Sequence, residues 1–111
     1  MPSMIQYQLA YDANRHPHGA IVAPSQHVDA YVLAASVAQT VTVPAGARIA
    51  VFSCGADFLV NFQGAAAAVP AANITSGAAP ELNPTVRDLT GQTSFSVIAE
   101  TNCILTISYF G

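Results

Sequence analysis

Three histidines, six acids and two cysteines carry most of the chemical reach of this 111-residue chain. His16, His18 and His27 all fall in its irregular N-terminal part. The run His16-Pro17-His18 could present two imidazoles to one ion. A metal site, however, takes three or four ligands in fixed geometry, and Asp12 and His27 join these two only by arbitrary folding. The histidines read as solvated loop side chains, and neither a metal nor a cofactor is expected. The acids Asp12, Asp29, Asp57, Glu81, Asp88 and Glu100 are dispersed, each at or beside a turn, where a carboxylate caps backbone N–H groups or stays in water. No paired acid and base is visible. Ser53 and Ser94 have no activating base. Gly64, Gly77 and Gly91 do not form a phosphate cradle. The chain reads as a non-enzyme.

Cys54 and Cys103 form the one candidate disulfide. Cys54 ends one expected strand and Cys103 begins another, so the two can face each other across neighbouring strands within the ~4–7 Å Cα separation a disulfide requires. Oxidised, the bond would close a loop of about 50 residues and contribute ~3–4 kcal/mol in the chain-entropy account. The alternative is two buried thiols in a reducing compartment, packed as small hydrophobes, and this is the preferred reading. Asn73-Ile74-Thr75 matches a glycosylation acceptor. It carries no weight without a secretion signal, and the N-terminus MPSMIQYQ has neither the basic end nor the long apolar stretch of one.

Composition narrows the function further. Hydrophobic residues make up 52% and charged residues 8% of the chain, against a typical ~25% charged. There is no lysine, and the only arginines are Arg15, Arg48 and Arg87. Three scattered cations cannot neutralise many phosphates, so no nucleic-acid partner is expected. No apolar run reaches the ~20 residues that span a bilayer, so no membrane partner is expected either. A small domain has much surface for its volume and normally covers it with charge. This one must use Ala, Ser, Thr, Asn, Gln and backbone. Such a surface keeps monomers apart poorly and suits burial against neighbours.

The elements that would position these residues are strands. From residue 36 onward, strand signals recur at short, even spacing. Residues 36–43 alternate, with Val37, Val41 and Val43 on one face. Residues 47–54 are nearly continuous in apolar character, as in a strand covered on both faces. In 58–63, Phe58, Val60 and Phe62 share a side. Residues 85–89 form a short strand or irregular edge. Residues 93–99 turn Phe95 and Val97 inward, and 103–110 place Cys103, Leu105, Ile107 and Tyr109 on one face. The intervening turns contain Pro, Gly and Asn, and proline after Asn83 pushes that residue toward extended geometry. The stretch 64–80, GAAAAVPAANITSGAAP, has no helical stripe and reads as an ordered loop or arm. This pattern predicts an all-β antiparallel β-sandwich over 37–111. Residues 1–36 are read as an extended N-terminal arm or early strand region. Within them 4–11 alternates, 12–19 is a turn-rich link and 21–32 has no firm period.

The segment TVTVPAGARIAVFSCGADFLVNFQG, followed by AAVPAANITSGAAPELNP and the ending SFSVIAETNCILTISYFG, resembles small virion proteins of tailed bacteriophages. The shared features are the turn Val43-Pro-Ala-Gly46, the strand over 47–53, the aromatic strand over 57–61, the run Glu81-Leu-Asn-Pro84 and the ending over 106–111. The resemblance spans roughly 38–111. It implies a jelly-roll-like structural subunit that decorates or cements a capsid, with neck, collar or tail placement as the alternative. It brings no catalytic residues.

The expected partners are the major capsid protein or other virion subunits and further copies of the chain itself, as a homo-oligomer, with a trimer as one form. The expected location is the virion. Residues 1–36 and 64–84 are the expected contact-making parts. A carbohydrate-binding or adhesion module is a third reading, disfavoured by the absence of tryptophan and by aromatics at strand positions a core would use.

Overall fold

The computed structural model describes residues 24–111 throughout and, before them, two strands, β1 (Leu9–Tyr11) and β2 (Pro17–Val22). β1 and β2 pair antiparallel with each other. Strand β2 begins inside the stretch 12–19 that reads as a turn-rich link.

Eight further strands follow: β3 (His27–Leu33), β4 (Gln39–Thr42), β5 (Ile49–Cys54), β6 (Phe58–Asn61), β7 (Glu81–Leu82), β8 (Val86–Asp88), β9 (Ser94–Ala99) and β10 (Cys103–Phe110). They form two four-stranded antiparallel sheets, ordered β3-β10-β5-β8 and β4-β9-β6-β7. No helix occurs among the described residues. The pairing is nested. β6 pairs with β7, β5 with β8, β4 with β9 and β3 with β10. The second half of the chain thus runs back along the first, with the connection between β6 and β7 at the far tip.

The two sheets share one hydrophobic core. Leu33, Ala50, Phe52, Leu105, Ile107 and Tyr109 enter it from one sheet, and Val41, Phe58, Val60, Phe95, Val97 and Ala99 from the other. These are the period-two positions of each strand, which is why the alternation marks them in the sequence. Phe52 is the hub, with ring centroids 6.0, 6.1 and 5.8 Å from those of Phe58, Phe62 and Phe95. Its contacts with Phe58 and Phe95 bridge the two sheets. Gly46 makes the turn before β5. Its φ of 85° fits the third position of a type II turn, and the Ala47 N–H closes the turn on the Pro44 carbonyl at 3.1 Å.

Three expectations need correction, and the stretch 1–36, read as an extended arm or early strand region, contains β3, so the sheets extend before residue 37. The polarity of β3 hides it: His27, Asp29 and Tyr31 point inward, while Val28, Ala30 and Val32 are exposed. Val37 precedes β4 and is 52% exposed rather than inward. Strand β5 is not covered on both faces, since Ile49 and Val51 are half-buried and Ser53 is exposed. Finally, Asn83 adopts a left-handed conformation, φ 49°, rather than an extended one. Its side chain holds it there. Asn83 Oδ1 accepts the Phe58 N–H at 3.0 Å, Nδ2 donates to Asp57 Oδ1 at 2.9 Å, and the Asn83 N–H donates to the Phe58 carbonyl at 2.9 Å. Asparagine tolerates this region better than most residues, and three bonds offset the proline's preference.

Candidate contact surfaces and the cysteine pair

The outer faces of the two sheets differ. On the β4-β9-β6-β7 sheet the chain covers part of itself and leaves Thr40, Thr42, Leu82 and Ser94 exposed. After β6 it turns back, and Ala67 is buried. The Ala67 N–H donates to Ser96 Oγ at 2.8 Å in a buried bond. Ser96 and Ile98, on the side of β9 away from the core, are 7% and 5% exposed. The ends of the loop are tied as well. Asn61 Oδ1 accepts the Gln63 N–H at 2.7 Å, and Gln63 Nε2 donates to the Gly77 carbonyl at 3.1 Å. The alanines of 65–68 can lie flat on the sheet because they have no bulk to hold them off. Residues 71–79, Asn73 included, are exposed. The expected contact-making stretch 64–84 therefore divides: its first part packs on its own sheet, and its middle faces solvent.

The β3-β10-β5-β8 sheet is different. The register aligns Val28, Ser108, Val51 and Val86 in one row across its outer face, and Val32 with Ile104 in another. Ala30, Thr106 and Ser53 lie between these rows. Val28 is 55%, Val32 75%, Ile104 57% and Val86 40% exposed. Asp88, at the corner of the face beside Ile49, is the only ionisable residue these rows place there.

Cys54 and Cys103 are brought together. Their sulfurs are 3.4 Å apart, both side chains are partly buried against the core, and both are free thiols. The register explains the approach. Cys54 pairs with Leu105, two residues beyond Cys103, so the cysteines are diagonal neighbours on the core face of adjacent strands. Burial, and then the contact with Cys54, push the Cys103 thiol up to about 11.

A second polar group was not legible as a cluster. His27, Asp29 and Tyr31 follow one another on the inner side of β3. His27 Nε2 lies 3.3 Å from Asp29 Oδ1, and its ring stands edge-on to that of Tyr109 at 5.5 Å. His27 Nδ1 and the Tyr109 hydroxyl are buried and have no hydrogen-bond partner among the described residues. Burial raises the Tyr109 phenol strongly, and Tyr31 and Asp29 add to that effect. The spacing 27, 29, 31 was the available signal. Burial also raises the Tyr31 phenol, with Asp29 adding to the effect. Asp12 and His16 lie outside the described residues, and His18 falls in β2. Among the described residues, no group of three or more His, Cys, Asp or Glu side chains could hold a metal, and no helix is long and apolar enough to cross a membrane.

Comparison with known proteins returned no match: no family model, no curated protein and no solved structure is similar to this chain.

Proposed function

We propose that the chain is a structural virion protein of a tailed bacteriophage, decorating or cementing the capsid by bridging shell subunits. The observation that carries this reading is the contrast between the two outer faces. One is partly covered by the chain's own loop, which buries Ser96 and Ile98; the other exposes Val28, Val32, Val86 and Ile104, with Phe110 buried outside the core cluster at its end and Asp88 at its corner. Such a face loses little hydration when covered, because few ions must shed water. It is therefore suited to burial against another protein.

The nested pairing supports a jelly-roll reading. Eight strands in two sheets, each strand of the first half paired with its counterpart in the second, is the arrangement of two Greek keys, an architecture used in viral capsid domains. The resemblance of 38–111 to small virion proteins points the same way. In this role the protein performs no chemistry. It lies across a seam between shell subunits, so that separating them also requires breaking its contacts.

Quantitative mass spectrometry of purified virions tests the proposal. Hundreds of copies per particle fit decoration of the shell. Six or twelve copies move the protein to the neck, collar or tail. Absence from the particle overturns the reading.

A further inference from the structure

We propose that two copies of this chain associate edge to edge through β3, antiparallel, about a two-fold axis at Ala30. The inference goes beyond the virion reading and does not depend on it.

Among the described residues, strand β3 is the edge of its sheet, paired with β10 on one side only. The neighbouring hydrogen bonds fix which way its backbone points. Gly55 N–H donates to the Ile104 carbonyl at 3.3 Å and Arg48 N–H to the Phe110 carbonyl at 2.8 Å. The even-numbered residues of β10 therefore serve β5, and Cys103, Leu105 and Ile107 serve their partners Leu33, Tyr31 and Asp29. Val28, Ala30 and Val32 are left to aim their N–H and C=O groups away from the sheet. The one contact seen on this side agrees: Gln39 Nε2 donates to the Val32 carbonyl at 2.7 Å. That oxygen keeps a second lone pair.

Edge strands are normally blunted by lysine, proline, a bulge or an inward charge. β3 has no lysine and no proline, and its register with β10 is unbroken. Its one inward carboxylate, Asp29, has His27 Nε2 3.3 Å from its Oδ1. The strand also complements itself. Only an axis at Ala30 uses all three outward residues of both copies, setting Val28 against the second copy's Val32 and Ala30 against itself. Each such pair exchanges both N–H···O bonds. On the inner side, Asp29 then faces the second copy's Tyr31, a hydroxyl donor opposite a carboxylate. Moving the axis to Asp29 would oppose two carboxylates, and moving it to Tyr31 would leave Val28 unpaired.

The occupant is thus a second copy, and the symmetry this edge supports is two-fold rather than the expected three-fold. Pairing would join the two apolar outer faces into one continuous sheet. A single strand pair is smaller than the roughly 1,200–2,000 Å² of a standard interface, so the association is concentration-dependent.

Sedimentation of the full chain over rising concentration tests this. The expected result is a shift from the 11.5 kDa monomer to a dimer. Ala30→Pro removes the central outward N–H, at an edge where proline is tolerated, and should hold the protein at the monomer mass. Independently of that variant's folding, Ala30→Cys in a Cys54→Ser, Cys103→Ser background should cross-link to itself under mild oxidation. Val86→Cys, at the opposite edge, should not. A monomer at every concentration, a trimer, equal cross-linking at both edges, or a dimer unaffected by a folded Ala30→Pro variant would overturn the proposal. A monomer that still binds capsids would sink only this inference, and a dimer absent from virions only the virion reading.

Discussion

The hydroxyl of Ser96 accepts the amide of Ala67 at 2.8 Å inside the protein. That bond fastens the loop after β6 onto the sheet, where Ser96 and Ile98 are buried on the side away from the core. On the opposite sheet Val28, Val32 and Ile104 are exposed, while Phe110 at its end is buried outside the core cluster. The functional account grows from this difference.

Replacing Ser96 with alanine would leave the buried Ala67 N–H without its acceptor. The expected loss is about 1–3 kcal/mol, read from urea unfolding, together with faster proteolysis within 64–80. An unchanged urea midpoint and unchanged cleavage would mean that the loop is held by packing alone.

Phe52 touches the rings of Phe58, Phe62 and Phe95. Phe52→Ala should cost about 3–5 kcal/mol, as large-to-alanine changes in packed cores do. Thermal unfolding measures it. A loss below about 1 kcal/mol would show that the sheets do not depend on this cluster.

Two thiols 3.4 Å apart are poised for disulfide exchange. With glutathione disulfide as oxidant, each cysteine gives up its hydrogen, one intrachain S–S bond forms and two glutathione thiols are released. The bond links residues 49 apart in sequence and should raise stability by about 3–4 kcal/mol. The raised Cys103 thiol makes the reaction slow at neutral pH and faster as pH rises, since the thiolate is the attacking species. Mass spectrometry and a thermal melt with and without reductant check this. Failure to oxidise under alkaline glutathione disulfide would exclude it.

Cys103, Tyr31 and Tyr109 hold their protons more tightly in the folded chain than in the unfolded one. For such groups stability is full below the unfolded value and falls as pH rises toward the folded one. The decline should begin near the ordinary thiol value of 9.0 and continue through about 11 for Cys103. The tyrosines join from their ordinary 10.0 upward. Urea midpoints across this range measure the fall, and Cys103→Ser should lessen it. Flat stability through the range would contradict the burial of these groups.

Strands β6, β9 and β10 were legible because their alternation places apolar side chains on the core side: Phe58 and Val60, Phe95 and Val97, Leu105 and Ile107. Strand β3 was not, because its inward positions hold His27, Asp29 and Tyr31 and its valines face outward. The contrast between the outer faces was hidden for a different reason. Ser96 and Ile98 become interior only because a loop some thirty residues earlier folds over them, and periodicity carries no information about such a cover. The proximity of Cys54 and Cys103 was legible as strand end against strand start, while their diagonal placement required the register. The conformation of Asn83 turned on side-chain bonds to Asp57 and Phe58, partners that Pro84 does not reveal.

The most direct test is co-sedimentation of the purified protein with tailed-phage capsid shells assembled without it, comparing the natural chain with Ile104→Lys. That substitution adds charge to the bare face, at an exposed position where stability should change by only about 0.5 kcal/mol. The account predicts saturable binding at hundreds of copies per shell for the natural chain and none for the folded variant. No binding by the natural chain, or equal binding by both, would contradict it.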